Sequence, residues 1–382
     1  MQLSNNQQAF LAFLRAGLWS DFEFTNLRNY GFVEPVDWDE VYRLAEEQSV
    51  IGVVLAGIEH SYVKPPQELL LQWIGEVQML EQQNKAMNQF IAELVERLRK
   101  VDIYTLLVKG QGIAQCYEKP LWRASGDIDL LLDAPNYEKA KVFALPLASS
   151  IETERGKHLG MTIDTWVVEL HGYLFCWLSK KIDRVIQDVQ DDTFLRGGVR
   201  VWKNDETEVM LPNPDNDAIF IFTHFLKHFY HGGLGLRQIC DWCRLLWTFR
   251  SELDLRLLES RIRKAGLMSE WKAFYNLASR YLGMPDYDSR LMVNGSWLIS
   301  CDSRFDKKAD RIMEFVLKSG NMGHNRDMSH FSKYPYLIRK CVSMGRRIGD
   351  LINHARIFPL DSLRFFPRIM FNGVRSAMKG EG

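Results

Sequence analysis

The chain has 382 residues, 46% of them hydrophobic, which is enough to bury a large core and to divide into two or three domains. Lysine plus arginine and aspartate plus glutamate are equal at 48 each, so no global basic field points to nucleic acid and only a local patch would serve that end. No apolar stretch reaches the ~20 residues of a membrane span, and the polar opening MQLSNNQQ lacks a signal peptide's basic start and apolar centre, which together place the protein in the cytoplasm.

Residues 1–100 read as a helical lobe. Apolar residues recur three and four apart in QQAFLAFLRAGLW, VDWDEVYRLAEEQSVIGVVLAGI and the long PQELLLQWIGEVQMLEQQNKAMNQFIAELVERLRK. Asp37 with Glu40 three residues on suits a helix start, and Pro65-Pro66 separates the second helix from the third. The lobe is expected to be a scaffold, with Trp19, Trp38 and Trp73 in its core.

Residues 101–212 hold the strands. The run IYTLLV stops at Lys109-Gly110, with Gly112 close behind, so a buried strand ends in a turn whose N–H groups can approach a phosphate. From Gln111 the spacing of Ile113, Ala114, Cys116 and Tyr117 suits a short helix closed by Pro120. After the loop 121–126, DIDLLLD reads as a strand that is acidic at its start. Side-chain alternation turns Asp127 and Asp129 to one face, near enough to hold a common divalent ion, and Ile128 and Leu130 to the other. The helix PNYEKAKVFALPL follows. Residues 158–163 and 166–174 then flank Asp164-Thr165 as a hairpin, with Val167, Glu169 and His171 on one face and Val168 and Leu170 on the other. Glu169 interrupts a β-rich apolar run, as a metal ligand, an edge guard or half of an ion pair. GGVRVWKN and EVMLP complete a mixed sheet, and the class is α+β.

Residues 213–382 form a second helical lobe. A breaker, Leu211-Pro212-Asn213-Pro214, precedes a helix from Asp217 that puts His224, His228 and His231 on one face. Without a glutamate between the first two, these read as polar core contacts and not as a metalloprotease helix. Arg237 is placed either to reach a phosphate or to pair with Asp241 one turn on. The six cysteines are dispersed and read as reduced thiols, with Cys240 and Cys243 packed in a helix. Two amphipathic helices lie between Glu252 and Pro285. Beyond Gly320-Asn321-Met322-Gly323 the chain turns basic, with Arg339, Lys340, Arg346, Arg347, Arg356, Arg364, Arg368 and Arg375 against Asp350 and Asp361. This is a solvated face or a contact for an acidic partner.

At Lys109-Gly110, Arg123 and Asp127-Ile128-Asp129 the chain resembles nucleotidyltransferases of the DNA polymerase beta superfamily, most closely a bacterial family described only as uncharacterised nucleotidyltransferases. The likeness extends over about residues 36–246 and includes the His-rich helix followed by Gly233 to Arg237 and Asp241. It implies that Asp127 and Asp129 bind Mg²⁺ (or Mn²⁺), and that Glu169 completes the site and helps deprotonate the acceptor. Lys109, Gly110, Gln111, Arg123 and Arg237 would contact the nucleotide. The implied reaction moves a nucleoside monophosphate from an NTP to an acceptor, such as tRNA, a protein or a small molecule, with release of pyrophosphate. Lys109-Gly110-Gln111 departs from the superfamily's usual Gly-Gly or Gly-Ser. Two other readings start from the same residues. A metal-dependent glycosyltransferase also uses Asp-x-Asp after an apolar strand, but an all-helical lobe does not normally precede it. A non-catalytic nucleotide-binding protein of the same fold has no need of three carboxylates.

Overall fold

The computed structural model describes residues 1–19, 35–285, 298, 300–321 and 335–378. Helix α1 (Asn5–Leu18) starts at Ser4, whose hydroxyl accepts from Gln7 N while the Gln7 side chain answers Ser4 N. It crosses α3 (Ile51–Glu59) so closely that a Cβ on Gly57 would lie 1.8 Å from the Phe13 carbonyl oxygen. Between them, α2 (Trp38–Glu47) is capped by Asp37, whose carboxylate accepts from Glu40 N. The single helix expected over residues 36–58 is thus two. Its break is at Gln48-Ser49, where Ser49 takes φ 56°. The fully buried Gln48 side chain accepts from Leu236 N and donates to the Val316 carbonyl, tying the break to the C-terminal helices.

Helix α4 (Gln67–Arg99) runs 33 residues and serves two interiors. Its first half gives Trp73 and Val77 to the large helical core, and its second half gives Met87, Ile91, Leu94 and Leu98 to a core beneath the sheet.

That sheet has five strands, β1 (Leu106–Val108), β2 (Asp127–Leu131), β3 (Ala148–Ile151), β4 (His158–Ile163) and β5 (Trp166–His171), in the order β1-β2-β5-β4-β3. Only β2 and β5 are parallel; the other pairs are antiparallel, so the sheet is mixed and the α+β class holds. Helix α5 (Gly110–Ala114) follows β1 and stops well before Pro120, which instead opens a 3₁₀ turn. Helix α6 (Ala134–Ala144), capped by Asp133, follows β2. The hairpin of β4 and β5 turns at Asp164, with φ 53°, as expected. Strand β3 and helix α7 (Lys180–Leu195) were not foreseen.

Strands β6 (Val199–Asn204) and β7 (Thr207–Pro212) do not join the mixed sheet as expected; they form a separate hairpin. Side-chain anchors explain this: Arg99 donates to the Glu208 carbonyl and Asn204 to the Asn88 carbonyl, holding the hairpin against α4.

The remaining helices are α8 (Pro214–Tyr230), α9 (Leu236–Thr248), α10 (Leu255–Ala265), α11 (Met268–Leu282), α12 (Asp306–Ser319), α13 (Tyr336–Ala355) and α14 (Pro359–Met378). They share one interior with α1–α3: Arg15 donates to the Tyr281 carbonyl at 2.8 Å and Trp19 to the Leu282 carbonyl at 2.6 Å. Cys240 and Cys243 are packed inside α9. Part of the basic row is spent internally, since Arg368 pairs with Asp183 at 2.7 Å and Arg364 donates to Ser179 and the Ala265 carbonyl. Met322 and Gly323, part of the expected breaker, lie outside the described residues. Among the described residues no helix is long and apolar enough to cross a membrane.

Glu270 of α11 is fully buried and accepts a hydrogen bond from the Tyr230 hydroxyl at 3.0 Å. Burial, with the Asp361 charge beside it, pushes its carboxyl from 4.5 up to about 8. The folded chain therefore keeps a proton that the unfolded chain releases, and this contribution to stability is full below pH 4.5 and is lost as pH rises through about 8. Glu270→Gln keeps the acceptor and removes the titration. Thermal melts should coincide for variant and wild type near pH 4.5 and separate by several degrees, the variant higher, at about pH 9.

Candidate active site

The site is built where β1 ends and β2 begins. Lys109 leaves β1 with φ 59° and ψ −149°, a conformation that costs a side-chain-bearing residue about 1–3 kcal/mol. The cost is kept because the lysine is used: its Nζ lies 2.7 Å from Asp129 Oδ1. Gly110 follows at φ 44°, where glycine is favoured, with space for a Cβ 3.4 Å from the Asp127 carbonyl.

The parallel pairing of β2 with β5 sets Asp127 beside Val167 and Asp129 beside Glu169. Successive side chains alternate, so Asp127, Asp129 and Glu169 share a face while Val168 and Leu170 are buried on the other. One oxygen from each of the three carboxylates lies within 4.8 Å of the others. Asp129 is 1% exposed, and its Oδ2 has no partner among the described residues. A buried carboxylate oxygen left open inside an acidic cluster suits a divalent cation. The three carboxylates therefore fit the ion that the sequence implies.

Two imidazoles complete this face. His171 Nε2 is 2.8 Å from Asp129 Oδ1 and 3.3 Å from Glu169 Oε2, and His158 Nε2 is 3.0 Å from the same Glu169 oxygen. The electrostatics follow. The Asp129 charge, then burial, pushes the Asp127 carboxyl up against the opposing pull of Lys109. Burial would raise Glu169 too, but hydrogen bonds with His158 and His171 and the Lys109 charge hold it well below the usual carboxylate range. Burial disfavours a charged His171, yet hydrogen bonds to Asp129 and Glu169 raise its pKa. Burial likewise opposes the Lys109 charge, and the Asp129, Asp127 and Glu169 charges outweigh it. Glu169 is thus held as a carboxylate, the form that a metal ligand takes.

The loop 119–126 forms the rim, and its side chains are committed to holding it. Arg123 spends its guanidinium on Asp241, with Nε to Oδ1 at 3.0 Å and Nη2 to Oδ2 at 2.6 Å, and on Ser125 at 2.8 Å. Arg123, expected to contact phosphate, lines the cleft with its guanidinium engaged in this buried bidentate pair. Asn84 of α4 donates to the Leu121 and Arg123 carbonyls, and Trp122 to Glu81. Gln111, also expected to contact the nucleotide, is buried and donates its amide to Asn84 at 2.7 Å.

Across the cleft from the carboxylates stand α8 and α9. Arg237 lines it, donating through Nη1 to the Ala124 carbonyl, while its Nε is buried without a partner among the described residues. The alternative pairing of Arg237 with Asp241 is pre-empted by Arg123. His224 also lines the cleft, 3.1 Å from His228 between Nε2 atoms, and His231 caps α8. Burial, with Lys227 and Lys109 nearby, pushes His228 down to about 3, and burial first, then Lys109, pushes His224 well below 6.5. His224 is thus neutral polar lining, with neutral His228 behind it. The sequence reading passed over the roles of His158, His171 and Lys227; the first two had a signal, since a hairpin turning at Asp164-Thr165 pairs position 158 with 171.

Residues 34–283 match the family described as uncharacterised nucleotidyltransferase. The chain belongs to this family. Among solved structures it is similar to an antigenic nucleotidyltransferase-like protein from Paracoccidioides brasiliensis, at 14% identity and a TM-score of 0.33, over 54% of this chain and 96% of that one. No curated protein matches. The family membership supports a general nucleotidyltransferase role over the glycosyltransferase alternative.

Two substitutions separate the two faces of the acidic strands. Leu170→Ala, on the buried face, should cost ~2–5 kcal/mol in urea unfolding. Asp127→Asn, on the cleft face, should leave the metal-free protein as stable as the wild type or more so, because it relieves the repulsion that pushes this carboxyl up.

Proposed function

We propose that the chain is a Mg²⁺- or Mn²⁺-dependent nucleotidyltransferase that moves a nucleoside monophosphate from an NTP to an RNA, protein or small-molecule acceptor. The observation that carries this reading is the convergence of Asp127, Asp129 and Glu169 within 4.8 Å, in a cleft that Arg237 also lines, at the end of a Gly-turn strand. In the reaction the acceptor oxygen attacks the α-phosphorus, the bond to the bridging oxygen of the β-phosphate breaks, and pyrophosphate leaves. Asp127, Asp129 and Glu169 would hold a divalent ion, which would supply charge neutralisation for the triphosphate and acidify the attacking hydroxyl. The protein's share is positioning and electrostatics.

Lys109 is held by Asp129 and lies beside the turn at Gly110, so a triphosphate that enters with its ion can take over that cation. Arg237, which lines the cleft and has a buried Nε without a partner among the described residues, is the second phosphate partner. Arg123 acts indirectly by fixing the rim. Asp127, whose carboxyl is pushed up chiefly by the Asp129 charge, is the acceptor we assign for the hydroxyl proton.

The test is to incubate the purified chain with Mg²⁺, each labelled NTP and total cellular RNA or protein, and to follow label transfer and pyrophosphate. Asp129→Asn and Glu169→Gln should each lower turnover by at least about 10²-fold, the scale of removing one electrostatic contact from a transition state. Lys109→Ala and Arg237→Ala should weaken NTP binding by about tenfold or more, as expected for a lost charge-assisted contact. Wild-type turnover in both carboxylate variants would refute the assignment.

A further inference from the structure

We infer that His158, His171 and Glu169 form a second cation site, for a nitrogen-preferring first-row ion of the Zn²⁺ or Co²⁺ class, beside the oxygen-only position of Asp127 and Asp129. One donor atom from each of the three lies within 4.8 Å of the others. The separations are short enough for one ion to be shared: Nε2 of His158 and of His171 stand 3.0 and 3.3 Å from Glu169 Oε2. Ligands on a tetrahedral zinc with bonds of about 2.0–2.1 Å stand about 3.4 Å apart. Asp129 Oδ1, 2.8 Å from His171 Nε2, is within reach as a further oxygen.

The donor atoms already converge. His158 Nε2 hydrogen-bonds with Glu169 Oε2 at 3.0 Å and His171 Nε2 with Asp129 Oδ1 at 2.8 Å while standing 3.3 Å from Glu169 Oε2, so a cation entering among them would replace these hydrogens. The arrangement is also preformed. His158 and His171 are direct partners in the β4–β5 ladder, and their rings stack at 4.5 Å with 9° between planes, so both Nε2 atoms are presented without loop ordering. The His158 side chain is 39% exposed, which leaves an entry path from solvent.

The ligand types choose the ion. Imidazole suits Zn²⁺, Co²⁺ and Ni²⁺, whereas Mg²⁺ keeps to oxygen donors and its own waters. Glu169 would bridge the two positions. The site's test reads metal binding alone, so it stands or falls separately from nucleotidyl transfer.

Chelator-stripped protein is titrated with Zn²⁺ by equilibrium dialysis and with Co²⁺ by visible absorption, in excess Mg²⁺. The expected result is one tightly held Zn²⁺ per chain that Mg²⁺ does not displace, and a Co²⁺ spectrum of tetrahedral intensity. His158→Ala and His171→Gln should lower Zn²⁺ affinity by more than the roughly 10–100-fold that an outer-shell partner costs. Asp127→Asn and His228→Ala, the latter removing the other close imidazole pair, should retain it. Melting of the metal-free variants checks that His158→Ala, at a partly exposed side chain, is folded; His158→Gln serves if it is not. Zn²⁺ affinity unchanged by both ligand substitutions, or Zn²⁺ lost in Asp127→Asn and displaced by Mg²⁺, would overturn the site and leave only the carboxylate position.

Discussion

The arrangement of the whole molecule answers to one electrostatic constraint, the close approach of three carboxylates on one face of a buried sheet. Asp129 is almost wholly removed from water and has Asp127 two residues before it and Glu169 directly across the parallel ladder. Such a cluster is unfavourable unless cations are built in with it. Lys109 and His171 both meet the same Asp129 oxygen, at 2.7 and 2.8 Å. The positive φ of Lys109 follows from this constraint, because the turn must bring a long cation back over the strand it has just left.

A charged cluster of this kind also needs a rigid frame, since displacement of any one group would leave another unpaired. The frame comes from outside the sheet. Helix α4 reaches the rim through Asn84 and Glu81, and α9 reaches it through Asp241 and Arg237. Tyr117 adds its hydroxyl to Asp241 at 2.8 Å. The buried Arg123–Asp241 pair thus joins the strand-bearing part of the chain to the C-terminal helices. Its two parallel hydrogen bonds fix an orientation that a lone ion pair would not.

The opposite wall has the complementary sign. Arg237 lines it, neutral His224 fills it, and Lys227 stands behind, its pKa lowered chiefly by burial. A cleft with carboxylates on one side and desolvated cations on the other suits a ligand that brings its own divalent ion together with excess negative charge, as a metal-bound triphosphate does. Buried cations kept short of full pairing hold their interaction energy for that ligand.

Much of this was legible in the chain, and the reason is period. The two-residue repeat of Asp127-Ile128-Asp129 and of Val167 to His171 fixes which residues share a face, and the turn at Asp164-Thr165 fixes the register of β4 on β5. Glu169 facing the aspartates, the burial of Val168 and Leu170, and the long α4 all follow from such local rules. What local rules do not carry is competition among partners. Arg123 looks like a phosphate ligand until Asp241, 118 residues away, takes its charge. Gln111 looks like part of the turn until Asn84 draws it behind the strand, and Ser49 breaks a seemingly continuous helix because Gln48 reaches for backbone on two distant helices. The sequence by itself determined the strands that carry the site, their faces and the acidic constellation, because alternation and turn chemistry act over a few residues. Tertiary structure alone decided which cations stay available to a ligand, because a buried charge pairs with whatever the fold brings nearest, irrespective of its distance along the chain.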